Sequence, residues 1–407
     1  MIDTPCSSHV MTSNSGILPL EICETVLDYL PTRSTELCRC ALACRAFAIH
    51  AQSRLFRTIS IPTSQSTDPH PLLQIFRSSP SVSGYVQSMS IGLRPNNDVF
   101  ASLAECSLGW PRLRTLVLYP VFSSPEVHEN IYAILLGAPT LHQLDIFFAS
   151  PIDGNATIYP ILRCCSESLQ VLGLHTLSLT GFYSEPRTPG PPRDLATYPK
   201  LQELVIADSW YLSTILMFAQ TGCPLDLSNL RTLRYTSRSL SSSKLTSSLN
   251  RVLQKTTSLR HLHINVSDDV IEKLDLSAHR LLSHIETDQH SNIAAILARL
   301  PESNCLTAIT IQTSILVDDW AQGDHRSNRE VSNRLPRYAA RLQEVIVGEK
   351  PSRFPRLERV VLKIKPYDED DRLPVTLRDM KRQLEEAFWK LHRRGLLLVQ
   401  YPGDGLV

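Results

Sequence analysis

Apolar residues near the start of the chain recur with the spacing of an α-helix. Ile22, Val26 and Leu30 are four residues apart, which places them in one stripe on a helical surface. Pro19 suits the first turn of this helix, where its missing N–H is not needed, and Pro31 ends it. The pattern therefore predicts a first amphipathic helix between the two prolines.

A second helix is predicted directly after this break, with Ser34 or Thr35 as its N-cap. A third apolar helix leads to the sequence Leu55-Phe56-Arg57. A module of about 45 residues buries too little surface to be stable alone. Apolar side chains that remain exposed are therefore expected to contact a partner. The apolar positions of the second helix are Leu37, Cys38, Ala41, Leu42 and Cys44.

Beyond residue 60 the hydrophobic pattern changes to a repeat, L-x-x-L-x-L/I. Its first positions are 27, 28, 28, 32, 29 and 29 residues apart between residues 86 and 259, a period typical of a solenoid. Within each copy apolar residues alternate as in a strand, and between the copies apolar residues recur with the spacing of a helix. The eight clear copies begin at Leu113, Leu141, Leu169, Leu201, Leu230, Leu259, Leu306 and Leu357, with weaker copies at Phe56 and Val86.

One strand and one helix per repeat, without antiparallel turn signals, predict an α/β solenoid with a curved parallel sheet and outer helices. The periodicity breaks near Leu281 and again between the last two copies. The predicted domains are a tail at 1–16, the helical module at 17–61 and the solenoid at 62–407, which contains a Pro-rich loop at 181–199, a charged insertion at 318–350 and a C-terminal cap at 374–407.

Composition excludes several classes of partner and location. The net charge is only +1, so no global field attracts nucleic acid or an anionic membrane. The apolar runs are too short to span a bilayer, and residues 1–16 lack the charged and apolar regions of a signal peptide. The ten cysteines show no paired framework, which favours a reducing compartment. We expect a cytoplasmic or nuclear protein.

The sequence contains no motif for a catalytic nucleophile, a phosphate loop, a dinucleotide site or a metalloprotease. Cys38, Cys40 and Cys44 have no second pair at zinc spacing, and we interpret them as small side chains of the module. His261 and His263 share one strand face, but two ligands are too few for a metal ion. We therefore expect no catalytic residue, cofactor or metal.

Three aromatic residues occupy the same place in successive repeats. Tyr119, Phe147 and His175 each follow the last apolar position of a strand motif, which points them away from the core. On an exposed face they would form a contiguous patch suited to binding a target protein. His261 and His263 are candidates for polar contacts in the same role. The alternative is that the helical module, a loop or an N-terminal cap covers the patch.

The N-terminal module resembles an F-box, the three-helix domain that docks onto the Skp adaptor of Skp–cullin–F-box ubiquitin ligases. Phe47 stands where the family usually has Trp, which keeps an aromatic ring but removes the indole N–H. The residues that carry the resemblance are Leu18-Pro19, Glu21-Ile22, Leu27, Leu30, the run from Ala43 to Phe47, and Leu55-Phe56-Arg57.

The resemblance implies an adaptor-binding surface made of Leu18, Pro19, Ile22, Val26, Leu27, Leu30, Leu42, Cys44 and Phe47. The repeats resemble a leucine-rich-repeat domain, and an F-box followed by such repeats is a familiar combination, expanded in mushroom-forming fungi. This implies a substrate receptor that binds the adaptor, and through it cullin, at one end and a target protein at the other. The alternative is a non-catalytic scaffold whose F-box-like helices only cap the solenoid. An enzyme built on the repeats would need a residue constellation that the chain lacks.

Overall fold

The structure is a computed structural model that describes the helices and strands and most of the turns between them. The structure describes residues 20–32, 34–43, 45–62, 71–92, 103, 109–121, 135–148, 158, 161–176, 199–208, 212–220, 223, 225–237, 243–287, 293–315, 337–348, 353–366, 381–382 and 384–400. The predicted tail at 1–16 and most of the predicted loop at 181–199 lie outside these ranges, as does much of the predicted insertion at 318–350.

Three helices open the described chain, as the apolar spacing predicts. The Ser34 hydroxyl accepts a hydrogen bond from the backbone N–H of Leu37 at 3.1 Å, which confirms Ser34 as the N-cap of the second helix. Leu27, Leu37 and Ala51 form the buried centre of this module, one from each helix. The helices are α1 (Leu20–Tyr29), α2 (Thr35–Ala43) and α3 (Arg45–Leu55).

A parallel sheet of twelve strands follows, and its spatial order is the order of the sequence. The strands are β1 (Thr58–Ile61), β2 (Ser88–Gly92), β3 (Thr115–Val121), β4 (Gln143–Phe148), β5 (Val171–Thr176), β6 (Glu203–Asp208), β7 (Thr232–Ser237), β8 (His261–Asn265), β9 (His284–Thr287), β10 (Ala308–Ile315), β11 (Arg359–Pro366) and β12 (Leu397–Gln400). All eight clear motifs and both weaker copies lie on strands, so the predicted α/β solenoid is confirmed.

The repeat pattern predicts that strands at consecutive motifs are parallel neighbours in sequence order, and one of these pairings is wrong. The strands of the motifs at 259 and 306 do not pair directly, because β9 lies between them and pairs with both β8 and β10. The β9 copy reads Leu282, Ile285 and Thr287. Its third apolar position is a threonine, which is nevertheless fully buried. This substitution hid the strand from the hydrophobic pattern.

Helices cover the outer side of the sheet between many of the strands. They are less regular than the strands in length and spacing. The described segments are α4 (Pro71–Ser78), a 3-10 segment (Pro80–Tyr85), α5 (Leu212–Ala219), α6 (Ser243–Lys255), α7 (Asp268–Ile271), α8 (Ile293–Leu297), a helix over residues 337–347, and α9 (Trp389–Arg393). In the described ranges, no helix is both long enough and apolar enough to cross a bilayer.

The core lies between the sheet and these helices. On β4, Leu144, Ile146 and Phe148 are fully buried, while Asp145 and Phe147 point to the opposite face and are only half-buried. The same alternation on the other strands gives one continuous apolar core from β1 to the C-terminal helices. The opposite face of the sheet, which we call the concave face, is therefore available to other contacts.

Short polar side chains form hydrogen bonds to backbone carbonyls of the neighbouring repeat. The Thr140 hydroxyl donates to the Leu113 carbonyl at 2.9 Å, and the Ser168 hydroxyl donates to the Leu141 carbonyl at 2.8 Å. Both bonds link positions 27 residues apart, which is one repeat. The carbonyls just before β3 and β4 thus find donors in the following repeat.

A lysine serves the same purpose on the outer side. Lys255, at the end of α6, donates to the carbonyls of Phe218 and Gln220 at 3.0 and 2.8 Å. These carbonyls lie at the C-terminal end of α5, where the helix dipole favours a cation. Burial lowers the pKa of Lys255. The amine therefore binds two repeats together through backbone acceptors.

The C-terminal end of the solenoid, where a cap is predicted at 374–407, contains a short helix and a strand in its described part. Leu384, Phe388 and Leu391 are buried in one helical stripe. Gly395 has a φ of 69°, a conformation that favours glycine at a helix end. The chain then turns directly into β12, the closing strand.

We expect Leu144→Asp to destabilise the repeats around β4. Leu144 is fully buried, and an unpaired carboxylate there would cost more than about 4 kcal/mol of unfolding free energy. Because each repeat depends on its neighbours, protection of β3 and β5 amides against hydrogen exchange should fall as well. The exposed Arg114→Asp is the control. Loss of protection confined to β4 would contradict this coupling.

Candidate functional site

One face of α1 presents apolar side chains to solvent. Ile22, Val26 and Tyr29 are 49%, 57% and 86% exposed. They are separated by four and three residues, so they form a single stripe along the helix. Large apolar side chains at these exposures on a small module indicate a binding surface.

The opposite face of α1 is held against α3 by polar contacts. The His50 ring lies 3.1 Å from the Asp28 carboxylate. The Arg54 guanidinium donates to the Leu30 carbonyl at 2.9 Å and lies 3.7 Å from Asp28. These contacts fix the rotation of α1, so the exposed stripe is a consequence of how the module packs.

Packing divides the residues predicted for adaptor binding into two groups. Leu27 is 4% exposed, and Leu30 and Phe47 are partly buried and pack against the small core that Leu27 belongs to. These three side chains hold the module together, and Leu27 in particular offers no surface to a partner in this arrangement. Ile22, Val26 and Leu42 are exposed, Leu42 by 87%. Leu18, Pro19 and Cys44 lie outside the described residues.

Two exposed apolar residues were missing from the predicted adaptor surface. Tyr29 extends the stripe of α1, and its spacing of seven from Ile22 was visible in the sequence. Ile49 of α3 is 64% exposed. No spacing rule singled it out, because α3 carries little amphipathic pattern and its orientation is decided by packing. Leu42 of α2 is a third exposed apolar residue outside the stripe of α1.

The module joins the solenoid without a linker. Only Phe56 and Arg57 separate α3 from β1, and Phe56 packs against the core of the solenoid. The Arg57 carbonyl accepts the backbone N–H groups of Gln87 and Ser88 at 2.9 and 3.0 Å. The last helix of the module and the first strand of the sheet therefore form a continuous, hydrogen-bonded junction.

Tyr119, Phe147 and His175 lie side by side on the concave face, and we call them the aromatic strip. The Tyr119 and Phe147 rings meet edge to face with centroids 6.2 Å apart, and the Phe147 and His175 rings stack at 4.4 Å. Tyr119 is 36% exposed. The three predicted residues thus meet in the structure, with Phe147 and His175 half-buried, while their role in binding stays a prediction.

Gly173 leaves space for the Asp145 carboxylate, which contacts His175 at the end of the aromatic strip. Gly173 lies opposite Asp145 in the register of β4 and β5. A Cβ at Gly173 would overlap the Asp145 carboxylate and would lie 2.8 Å from Nε2 of His175. In the space left open, Asp145 reaches within 3.5 Å of His175 and accepts a hydrogen bond from Gln143 at 2.7 Å. The carboxylate thereby fixes the ring that ends the aromatic strip.

A second group of polar side chains lies further along the concave face. His263 of β8 is 3.2 Å from Glu286 of β9. Glu286 also accepts hydrogen bonds from Gln312 at 2.6 Å and from Lys363 at 3.3 Å. These donors hold the pKa of Glu286 well below its ordinary value, with the His263 contact contributing most. Four neighbouring strands are linked through one carboxylate.

The two histidines predicted for target binding belong to this region. The His261 ring stacks on His284 of the next strand at 5.8 Å, and His263 contacts Glu286. His284, Glu286, Gln312 and Lys363 were missed, because the β9 motif was not recognised and their contacts bridge distant parts of the chain. Within the described residues, no group of three or more histidine, cysteine or acidic side chains has the arrangement of a metal site.

Comparison with known protein families supports the resemblance of the N-terminal module. The family model for F-box-like domains matches residues 16–62, which contain α1, α2, α3 and β1. F-box domains typically bind Skp-type adaptors of ubiquitin ligase complexes. The match covers only the N-terminal part of the chain, and no curated protein matches the chain.

We expect Glu286→Gln to lower stability at neutral pH by about 1 kcal/mol, the usual size for a hydrogen-bonded charge that still touches water. The folded-state pKa of Glu286 is depressed below 4.5, so its contribution is present above that pH and is lost as the pH falls. The variant should therefore lose less stability than the wild type below about pH 4.5.

Urea unfolding between about pH 7 and pH 3 measures this difference. The matched control is Glu302→Gln, since Glu302 is exposed on a turn. Parallel stability curves for the wild type and Glu286→Gln across the acidic range would show that the carboxylate does not hold the four strands together.

We expect Gly173→Ala to displace Asp145 and to loosen the stack of His175 on Phe147. Because the obstructed atom belongs to a short side chain that can rotate, the fold should survive with a loss of about 1 kcal/mol. The His175 ring resonances should lose the ring-current shift from Phe147. Gly84→Ala is the control, since a Cβ there meets no atom within 4 Å. Unchanged His175 resonances would refute the role assigned to Gly173.

Proposed function

Starting from the F-box-like domain at residues 16–62, we propose that this protein is the substrate-receptor subunit of a Skp–cullin–F-box ubiquitin ligase. The domain docks onto the Skp-type adaptor, which links it to cullin. The repeat domain, of the leucine-rich-repeat-like type expanded in mushroom-forming fungi, holds the target protein. The observation that carries the proposal is the exposed apolar stripe of Ile22, Val26 and Tyr29 on a module whose other face is fixed.

The energetics of this stripe favour a permanent partner. Covering a large apolar side chain contributes about 1.5 to 3 kcal/mol when burial is complete. Ile22, Val26, Tyr29, Leu42 and Ile49 are all about half exposed or more. The small core of the module leaves little stability of its own. An adaptor that covers these side chains stabilises the module and gains affinity from the same contacts.

The junction between α3 and β1 gives the complex its geometry. Since Phe56 packs against the core of the solenoid, a bound adaptor holds a set position relative to the first strands of the sheet. A target on the concave face is then kept near the ubiquitin-conjugating enzyme at high effective concentration. Rigid attachment increases this effective concentration, because it excludes orientations in which the target faces away from the ubiquitin-conjugating enzyme.

The concave face is the proposed target-binding surface. The aromatic strip supplies rigid anchors of the kind that dominate interface energetics, and His261 and His263 supply polar contacts on β8, three strands along from β5. The protein acts by binding alone in this proposal, without a catalytic residue, cofactor or metal of its own, in the cytoplasm or nucleus. The alternative function, a scaffold whose F-box-like helices only cap the solenoid, predicts no affinity for the adaptor.

We expect the double variant Ile22→Ser, Val26→Ser to weaken binding to a purified Skp-type adaptor at least tenfold. The loss follows from removing two apolar contacts, each worth more than about 1.4 kcal/mol when buried. Titration of the full chain with labelled adaptor measures the change in affinity. Leu18→Ala together with Pro19→Ala tests the sequence-derived part of the same surface.

The matched control is Leu281→Ser with Leu398→Ser. These two side chains are 48% and 44% exposed but lie on the solenoid, so the change in surface hydrophobicity is similar. The control should keep wild-type affinity for the adaptor. Absence of adaptor binding by the wild-type chain would reject the receptor function and leave the scaffold function.

A further inference from the structure

The last strand of the sheet has an open edge. Among the described strands, β12 pairs with β11 alone. The Val360 N–H donates to the Leu396 carbonyl at 2.6 Å, so the backbone groups of Leu396 and, by alternation, of Leu398 point towards β11. The N–H and C=O groups of Leu397 and Val399 therefore point away from the sheet, to the place that a further strand would occupy.

This edge lacks the features that usually prevent strand pairing. Between Leu396 and Gln400 the sequence has no charged residue and no proline, although both protect many sheet edges. The side chains are also more open than those one strand further inside. Leu398 is 44% exposed, whereas its register partner Val361 is 5% exposed. The edge is thus apolar, accessible and able to exchange hydrogen bonds with another chain.

A group of basic side chains directly precedes this strand, in α9 and the turn after it. The exposed basic residues are Lys390, His392, Arg393 and Arg394. Within the described ranges, none of them forms an ion pair with a carboxylate. The nearest acidic residues in the sequence pair with other cations, since Glu385 lies 3.9 Å from Lys381 and Glu386 lies 3.8 Å from Arg382. We call the permanent cations Lys390, Arg393 and Arg394 the basic cluster.

A buried glutamine fixes the start of the helix that carries this cluster. Gln343 is 4% exposed. It accepts a hydrogen bond from the backbone N–H of Lys390 at 2.7 Å and donates to the Ala387 carbonyl at 3.0 Å. The helix dipole favours a cation near a helix end, but three cations at the end of one short helix exceed that need. The basic cluster therefore gives the entrance of β12 a positive field.

Going beyond the proposed function, we propose that the edge of β12 binds an extended acidic segment of a partner protein as an added strand, with its aspartate and glutamate side chains on the basic cluster. The open backbone groups select a polypeptide, because strand addition needs main-chain donors and acceptors in the ligand as well. Charge complementarity selects an acidic segment, since a cationic one would meet the basic cluster without compensation. Aspartate and glutamate are the anions that a polypeptide carries without modification.

The position of this site separates it from adaptor docking. Arg394 stands three residues before Leu397, which is about 10 Å of extended chain. The basic cluster is therefore within reach of the ends of a strand added to β12. The F-box-like module adjoins β1, and β12 is the opposite end of the strand order. Adaptor and acidic segment would thus bind at different ends of the molecule.

Fluorescence anisotropy with labelled peptides and the full chain tests this inference. The probe is a Val-Thr-Val-Thr strand with a run of glutamates on each side, so that either direction of pairing brings acids to the basic cluster. A second peptide has lysines in place of the glutamates, and a third keeps the glutamates but carries N-methyl groups on its strand amides. The glutamate peptide should bind about tenfold more tightly than either of the others. Added salt should lower its affinity.

A proline variant assigns the binding to the edge of β12. Because the Val399 N–H points outward, Val399→Pro removes no bond to β11, and proline is tolerated at such edge positions. This variant should bind the glutamate peptide about tenfold more weakly than the wild type. The matched control Val399→Ala keeps the N–H and should retain binding. Thermal unfolding shows whether both variants are folded, and the N-methylated peptide decides the point if the proline variant is not.

A charge variant assigns the selectivity to the basic cluster. Arg393→Gln with Arg394→Gln should remove the preference for the glutamate peptide over the lysine peptide. The matched control is Arg112→Gln with Arg114→Gln, which changes two exposed arginines that also precede a strand. This control should keep the preference of the wild type.

Equal affinity for the glutamate and lysine peptides, indifference to N-methylation, or lack of binding by all three peptides would overturn the inference. Two further measurements test other occupants. Tighter binding of a labelled single-stranded oligonucleotide, unchanged in Val399→Pro, would assign the basic cluster to nucleic acid instead. A dimer in sedimentation velocity that Val399→Pro dissociates would assign the edge to a second copy of the chain. Adaptor binding, measured in the same samples, reports separately on the receptor function.

Discussion

The burial of one apolar row per repeat against the next repeat is the interaction on which the rest of the structure depends. Leu116, Leu144 and Leu172 occupy the same register position on successive strands and are all fully buried. A single strand and helix cannot cover their own apolar face, so each unit is stable only within the stack. The stack also fixes every side chain of the concave face at strand spacing, which is why Phe147 and His175 meet.

Polar contacts between repeats complete this apolar stack. Hydroxyl groups such as that of Thr140 satisfy carbonyls at the start of the strands, and Lys255 satisfies carbonyls at the end of a helix. The strands keep their register, apart from one shift between β3 and β4 after Leu118, although the helices vary in length. The regular part of the protein is therefore the sheet, and the proposed target surface lies on that regular part.

The proposed receptor function joins two surfaces of different chemistry. The F-box-like module offers apolar side chains, which suit a stable partner that remains bound. The concave face offers aromatic and charged side chains, which suit selective and reversible recognition. The short junction through Phe56 connects the two surfaces, so the adaptor and the target would be held in a fixed relation. Gly173 and Glu286 contribute by holding neighbouring side chains in place on the concave face.

The sequence by itself determined most of the strands, their parallel pairing and the positions of the aromatic strip, because strand alternation and a repeat length near 28 residues favour an arrangement that buries each leucine row, whereas β9 was recognised only in the structure. It also identified the F-box-like helices from local spacing and turn residues. Only the tertiary structure decided that Leu27 is buried while Val26 is exposed, because the rotation of α1 is set by contacts with α3. The contacts of Glu286 were also visible only in the tertiary structure. Lys363 lies 77 residues away from Glu286 in the sequence, and no local pattern connects residues that meet only across neighbouring strands.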